Sequence, residues 1–173
     1  MYARSSAGDF SVIVPLVDGR GEELACLRSW THDQSYPREK FQVVLVSAGQ
    51  DPDFDRRAAE LLRAQDLFIA GAGSMHDLYE AGGRAARGAI LFFTELHCHG
   101  DPHCLSGLRE WLDSHPHAAG ACARSRHQNQ NYLGTCEEAV FDAHVEAMAK
   151  HQHWRRVVPR GFALRRSVYE ELN

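Results

Sequence analysis

The chain has 173 residues, of which 44% are hydrophobic and 24% are charged, and its formal net charge is −4. This composition is typical of one globular domain. The negative charge argues against a nucleic-acid partner held by general electrostatic attraction. We predict no transmembrane segment in this chain, because no apolar stretch approaches the ~20 residues that a membrane-spanning helix needs. Five scattered cysteines favour reduced thiols and a cytoplasmic protein over a disulfide framework.

Strands and helices alternate in the first part of the chain. In chain order, the patterns predict a strand at 10–17, a helix at 22–32, a strand at 41–46, a helix at 55–65, a short strand at 67–70, a helix at 76–87 and a strand at 88–94. Such alternation is typical of right-handed crossovers and a mostly parallel sheet. The predicted fold class is therefore α/β, with a Rossmann-like three-layer sandwich around that sheet.

The second part of the chain is less regular. The patterns predict a helix at 102–112, a strand at 118–123, a helix at 136–150 and a last helical segment at 167–172. Residues 125–134 form a polar stretch that periodicity does not place. Because no repeat or low-complexity linker interrupts the chain, residues 1–173 are predicted to form a single domain.

Residues 88–97 form an apolar run that ends in Glu95 and His97. A run of this kind is typical of a strand buried on both faces of a parallel sheet, and open α/β sheets bind ligands at the carboxyl ends of such strands. Side chains two positions apart in an extended strand lie on the same side. Glu95 and His97 can therefore converge on one metal ion. The alternative is that they are polar residues that cap a strand at the surface.

Short matches, in order and at matching spacing, run along nearly the whole chain. They comprise residues 11–15, 27–29, 34–37, 43–46, Gly82, Ala86, Gly88 with the strand to Phe93, and 161–172. In these matches the chain resembles the N-terminal, nucleotide-sugar-binding part of family 2 glycosyltransferases, which have the GT-A fold. The resemblance implies a GT-A-like domain of a bacterial hexosyltransferase-type enzyme, either cytoplasmic or peripheral at the inner face of the membrane.

The resemblance implies metal-assisted, inverting transfer of a sugar from a nucleotide-sugar donor to a glycan, lipid or protein acceptor. The family holds Mn²⁺ or Mg²⁺ with an Asp-x-Asp motif, and Glu95-Leu96-His97 stands at that position. An imidazole ligand favours Mn²⁺ over Mg²⁺, which prefers oxygen ligands. The residues implied for the nucleotide sugar are Pro15, Leu16, Val17, Ser47, Ala48 and Glu95. Those implied for the acceptor side are Gly161, Arg165 and Arg166.

Three positions depart from the family pattern. Residues 47–49 stand where the family usually has an Asp for the nucleotide base, and Glu80 stands where it often has Asn. The usual general base would follow the segment that ends at Asn173, so we expect the domain to be incomplete at its C-terminus. Asp101 is a conceivable substitute, but the catalytic residue stays unidentified. The departures leave a second hypothesis open, a catalytically silent GT-A-like module that binds a nucleotide or a partner.

Two further clusters allow other interpretations. Thiols and imidazoles between positions 97 and 104 suit structural zinc, although their spacing follows no known zinc finger; they are His97, Cys98, His99, His103 and Cys104. A basic cluster near the C-terminus is either a solvated face or a contact for a diphosphate or an anionic acceptor. Its members are Arg155, Arg156, Arg160, Arg165 and Arg166.

Overall fold

The structure, a computed structural model, describes residues 8–126, 131–150 and 160–172. The chain divides into two compact units, one of residues 1–123 with 159–173 and one of residues 124–158. The first unit contains the whole sheet. That residues 1–173 act as one domain stays a prediction.

Six strands form one sheet in the order β3-β2-β1-β4-β6-β5. They are β1 (Phe10–Pro15), β2 (Phe41–Ser47), β3 (Leu67–Ala70), β4 (Ile90–Phe93), β5 (Gly120–Cys122) and β6 (Phe162–Arg165). Strands β1 to β4 pair in parallel, and β6 runs antiparallel to both β4 and β5. The mostly parallel sheet confirms the predicted fold class. Strand β6 was not predicted, because the pattern at 161–164 indicated only the approach to a helix.

The helices lie between successive strands in the chain, and the last one follows β6. They are α1 (Glu23–Thr31), α2 (Pro52–Ala59), α3 (Met75–Ala85), α4 (Cys104–Ser114), α5 (Tyr132–Lys150) and α6 (Arg166–Leu172). Helix α2 begins three residues before its predicted start, because the Asp51 side chain accepts a hydrogen bond from the Phe54 amide and Pro52 occupies the first turn. Ser74 and Asp77 form a capping box that starts α3.

The sheet is covered on both faces, which produces the three layers. Val12 and Val14 of β1 point to the core formed with helices α1 and α4, whereas Ile13 between them packs against Leu78 of helix α3 on the other face. This alternation buries every residue of β1. It also explains why the strand is an uninterrupted apolar run apart from Ser11.

Small residues let α3 lie close to the sheet. A Cβ atom added at Gly82 would lie 2.4 Å from Ile13 Cγ2 and 3.0 Å from Val46 Cγ2. We therefore expect Gly82→Ala to lower the free energy of unfolding by about 1–3 kcal/mol, because overpacking outweighs the gain in helix propensity.

Gly107 in α4 provides a matched control, since no atom of the residues described lies within 4 Å of its added Cβ. Gly107→Ala should raise the free energy of unfolding by up to about 1 kcal/mol. Denaturant unfolding of both variants measures the two changes. Equal changes of the same sign would contradict the close approach of α3 to the sheet.

The second unit is described through Arg124, Ser125 and Arg126 and through α5. Arg124 forms an ion pair with Asp142 of this helix. Several apolar side chains of α5 are exposed, among them Tyr132, Leu133 and Val140. Throughout the chain as described, no helix has both the length and the apolar character that a bilayer crossing requires.

Candidate functional site

One edge of the sheet gathers the candidate residues. Strands β1, β2 and β4 end at this edge, and β6 begins there because it runs in the opposite direction. The edge therefore places Asp18 after β1, Ser47 at the end of β2, Glu95 after β4 and Arg160 before β6. Ligands of open α/β sheets bind at the carboxyl ends of the parallel strands.

The side chains of Glu95 and His97 meet at this edge. Glu95 Oε2 lies 3.1 Å from His97 Nε2, and the two side chains are 14% and 15% exposed. Their convergence was predicted from an extended strand, but β4 ends at Phe93. A turn brings them together instead, in which the Cys98 amide donates to the Glu95 carbonyl at 3.0 Å.

The loop after β1 orients the His97 ring. The Asp18 carbonyl lies 3.0 Å from His97 Nδ1. Because a carbonyl can only accept, Nδ1 must carry a hydrogen, and a neutral ring then has its lone pair on Nε2, facing Glu95. Asp18 adopts a left-handed backbone conformation with φ 53°, which is uncommon outside glycine. A hydrogen bond from Arg20 lowers the pKa of the Asp18 carboxyl group.

Arg160 brings a cation to the same carboxylate. Its Nε atom lies 3.3 Å from Glu95 Oε2. Gly161, the next residue, has φ 102° and its amide donates to the Phe93 carbonyl at 3.0 Å. This conformation suits glycine. Sequence reasoning placed Arg160 in a basic cluster without connecting it to Glu95, because only the pairing of β6 with β4 brings the two residues together.

Cys98 is a third donor beside Glu95 and His97. Its Sγ atom lies 3.8 Å from Glu95 Oε2. The ligand atoms of these three residues lie within 4.8 Å of one another, and within the described ranges they are the one such group of three or more. Burial, followed by the charge of Glu95, raises the pKa of the Cys98 thiol.

The other members of the predicted zinc cluster have separate partners. His99 Nε2 lies 3.8 Å from Glu22 Oε2, His103 Nδ1 lies 2.9 Å from Ser35 Oγ, and Cys104 packs against the core. The structure therefore does not assemble the cluster from 97 to 104 as one zinc site. Its residues His97 and Cys98 join Glu95 instead.

A cleft of about 320 Å³ opens at the same edge, beside Leu96. It is lined by Leu16, Val17, Asp18, Gly19, Glu23, Gln50, Asp51, Asp53, Phe54, Asp55, Arg57 and Leu96. The lining includes five carboxylates and one guanidinium, so its charge is strongly negative at neutral pH. A diphosphate would be repelled from such a lining unless a cation accompanied it.

Strand β2 contains no carboxylate, but one from a neighbouring helix lies at its end. Ser47 is 4% exposed, and its hydroxyl donates to Asp55 Oδ2 while it accepts from the Gly49 amide at 2.9 Å. Asp55 comes from α2, which is packed beside this strand end. The pattern at 47–49 suggested that only a hydroxyl and backbone groups would be present here. Asp55 could have been found only from the position of α2.

The predicted donor residues lie at this edge of the sheet. Leu16 and Val17 line the cleft, Pro15 is the last residue of β1, and Ala48 follows Ser47 at the end of β2. Gly161 is next to the residue that contacts Glu95. The structure thus brings together the ends of β1, β2 and β4 with the start of β6.

Arg165 and Arg166 lie at the opposite end of the sheet. Arg165 pairs with Ile90 at the start of β4, and its guanidinium donates to the carbonyls of Leu112 and Ala118, both at 2.8 Å. Arg166 Nε donates to the Gly88 carbonyl at 2.7 Å. The structure does not bring these two residues together with Glu95, because β6 runs away from the ligand-binding edge. Arg155, Arg156 and Asn173 lie outside the described residues.

A mostly parallel sheet with helices on both faces and a cleft at its carboxyl edge defines a Rossmann-like α/β domain. Two solved structures have a similar fold. The chain is similar to the mannosyltransferase PcManGT from Pyrobaculum calidifontis in complex with GDP-Man and Mn²⁺, with 22% identity and a TM-score of 0.68. It is also similar to residues 1–349 of S. aureus TarS in complex with UDP-GlcNAc, with 21% identity and a TM-score of 0.53.

The first alignment covers 95% of this chain and 46% of PcManGT, and the second covers 70% and 37%. The chain therefore spans less than half the length of these two neighbours. No family model matches the chain, and no curated protein matches its sequence. The likeness accordingly establishes the fold, which is shared with proteins whose structures contain bound nucleotide sugars.

Proposed function

We propose that this domain takes part in the transfer of a sugar from a nucleotide-sugar donor, with a divalent cation held by Glu95 and His97. One observation carries the proposal: the two side chains converge 3.1 Å apart at the carboxyl end of β4, beside an acidic cleft. The fold of a mannosyltransferase bound to GDP-Man and Mn²⁺ supports it.

The cleft supplies groups for the two ends of a nucleotide. We assign Phe54 and the Asp55–Ser47 pair to the nucleobase, because an aromatic ring and a carboxylate can contact a base and accept from its N–H groups. Leu16 and Val17 form the apolar wall after β1. The diphosphate then lies toward Glu95, where a cation offsets both its charge and that of the lining carboxylates.

The donor set fits a divalent metal ion. Glu95 and His97 would hold the ion, since a carboxylate oxygen and a ring nitrogen with its lone pair free are ordinary ligands. When bound, the ion neutralises charge that develops on the departing nucleoside diphosphate. The nitrogen ligand favours Mn²⁺ over Mg²⁺. The residues themselves orient the donor, and Asp18 holds the His97 ring in position through its carbonyl.

The acceptor enters from the β6 side in this proposal, near Gly161, and transfer proceeds with inversion by direct displacement at the anomeric carbon. Arg160, whose guanidinium lies beside Glu95 on this side, would contact the diphosphate. We assign no general base. The Asp101 carboxylate accepts from the His103 amide at 2.8 Å, so it stabilises the turn before α4.

Calorimetry tests the proposal directly. Titration of UDP, GDP and ADP into the protein should show one preferred nucleotide, bound roughly tenfold or more tightly with Mn²⁺ than with EDTA. A cation would offset the repulsion between the diphosphate and the carboxylates of the cleft. His97→Ala should abolish the difference between Mn²⁺ and EDTA. His115→Ala is the matched control, because the His115 ring stacks on Trp111 of α4, away from the sheet edge.

A catalytically silent, nucleotide-binding module is the second candidate. The Arg160–Glu95 ion pair favours it, since the pair balances the carboxylate charge without a metal ion. This candidate predicts nucleotide binding that is equal in Mn²⁺ and EDTA. Absence of binding for every nucleotide, with or without Mn²⁺, would contradict both candidates.

A further inference from the structure

We propose that Cys98 is a third ligand in the cation site, which therefore binds thiophilic divalent ions such as Zn²⁺, Co²⁺ and Cd²⁺ more tightly than Mn²⁺ or Mg²⁺. The inference deepens the proposed function and rests on its cation site. The inference adds a thiolate to the ligand set of the proposed function, and a thiolate changes which ions the site selects.

The geometry centres on one oxygen atom. Glu95 Oε2 lies 3.1 Å from His97 Nε2 and 3.8 Å from Cys98 Sγ. Metal–ligand bonds of about 2.0–2.3 Å put the ligand atoms of a tetrahedral site roughly 3.3–3.8 Å apart. Two of the three separations are therefore close to those around a single ion, and the ligand atoms of all three residues lie within 4.8 Å of one another.

The hydrogen bond of His97 adds a second observation. Because Nδ1 donates to the Asp18 carbonyl, a neutral ring presents a lone pair on Nε2 to a carboxylate oxygen 3.1 Å away. A histidine ligand whose other nitrogen donates to a backbone carbonyl is the arrangement that metal sites use to fix the ring.

The position of Cys98 is held by contacts from α1. Trp30 Nε1 donates to the Cys98 carbonyl at 2.9 Å, and the Cys26 thiol donates to the same carbonyl at 3.3 Å. With the turn hydrogen bond from the Cys98 amide to the Glu95 carbonyl, the backbone of the three-ligand turn is restrained on both sides. Such restraint means that little ordering is needed when an ion binds.

The thiolate decides the selectivity. Oxygen ligands suit Mg²⁺ and Mn²⁺, imidazole suits several transition metals, and sulfur favours Zn²⁺ and other soft ions. A site of one oxygen, one nitrogen and one sulfur leaves a fourth position open, which a donor phosphate oxygen can occupy. Arg160 contacts the same carboxylate oxygen, so the ion must displace its guanidinium from Oε2.

Co²⁺ is the probe for the test, because a cobalt–thiolate bond produces a charge-transfer absorption band in the near ultraviolet. We expect one equivalent of Co²⁺ to produce this band in the wild-type protein. Cys98→Ser should abolish the band and weaken Co²⁺ binding by roughly 10- to 100-fold, with a much smaller change for Mn²⁺. Cys122→Ser, which removes an exposed thiol of the same unit, should leave the band unchanged. Circular dichroism verifies that both variants fold.

The outcomes separate the two proposals. Co²⁺ binding without a charge-transfer band, or a band that persists in Cys98→Ser, overturns the third ligand and leaves the Glu95–His97 site in place. If neither Co²⁺ nor Mn²⁺ binds, both the third ligand and the cation part of the proposed function are wrong. Binding of nucleotides in EDTA is measured independently and is unaffected by either result.

Discussion

Asp66→Ala will lower the free energy of unfolding by about 3–5 kcal/mol, because removal of one partner of a buried ion pair leaves the other charge uncompensated. The Asp66 side chain is fully buried and forms an ion pair with Arg38, whose side chain is 12% exposed. Denaturant unfolding monitored by circular dichroism measures the loss.

Asp66 also satisfies two backbone amides. Its Oδ1 accepts from the Val43 amide at 2.8 Å, and its Oδ2 accepts from the Arg63 amide at 2.8 Å. The carboxylate therefore joins the start of β2 to the loop before β3. Alanine would leave both amides without this acceptor, which adds the cost of unsatisfied donors to that of the unpaired charge.

Glu80→Ala is the matched control, since it removes an exposed ion pair with Arg84 in α3. Exposed pairs contribute little, so its effect should stay within about 0.5 kcal/mol. If the two variants were equally stable, the Asp66 pair would not stabilise the sheet in the way its burial implies.

Under the proposed function, we expect Glu95→Gln to reduce turnover of the nucleotide sugar by about 10²–10³-fold. The substitution removes the charge from the oxygen that His97, Cys98 and Arg160 all approach. Glutamine keeps the size and shape of the side chain. The measurement is release of nucleoside diphosphate from the sugar derivative of the nucleotide that calorimetry selects.

Glu22→Gln is the control for this experiment. The Glu22 side chain is 58% exposed and contacts His99 at 3.8 Å, so its removal leaves the charge at Glu95 unchanged. We expect turnover within about twofold of the wild-type value, as for an exposed surface substitution. Equal losses in both variants, or no loss in Glu95→Gln, would contradict the role proposed for Glu95.

Much of the fold could be predicted from hydrophobic patterning. Strands β1, β2 and β4 are buried on both faces, so each is a nearly continuous apolar run that is easily recognised. Strand β6 is short and only partly buried. Its pairing with β4 and β5 is a long-range contact, and local periodicity contains no information on such contacts.

A buried polar pair shows another limit of the pattern. Ser11 and Gln42 lie on adjacent strands with a hydrogen bond of 2.9 Å between their side chains. Ser11 Oγ accepts from the Gly88 amide and Gln42 Oε1 accepts from the Arg87 amide. These two polar side chains are buried because they accept hydrogen bonds from the amides of the loop before β4, which would otherwise lack partners.

The candidate site was predicted in part. Glu95 and His97 could be recognised from their place after a buried strand and from the resemblance of the chain to a known family. Asp55 could not, because the position of a helix brings it to the end of β2. Cys98 was predicted only as part of a zinc cluster, since its place beside Glu95 depends on a turn. The chemistry of the site thus depends on backbone geometry that no local sequence pattern specifies.

The chain leaves the sheet after Ala123 and returns to it at Gly161, and these two residues are neighbours. The Ala123 amide donates to the Gly161 carbonyl at 2.7 Å, so the chain departs and returns at hydrogen-bonded neighbours on an antiparallel strand pair. A segment attached in this way can be exchanged for one of another length without a change in strand register. The part of the chain between these two residues can therefore vary among proteins of this architecture while the strands that carry the cleft keep their pairing.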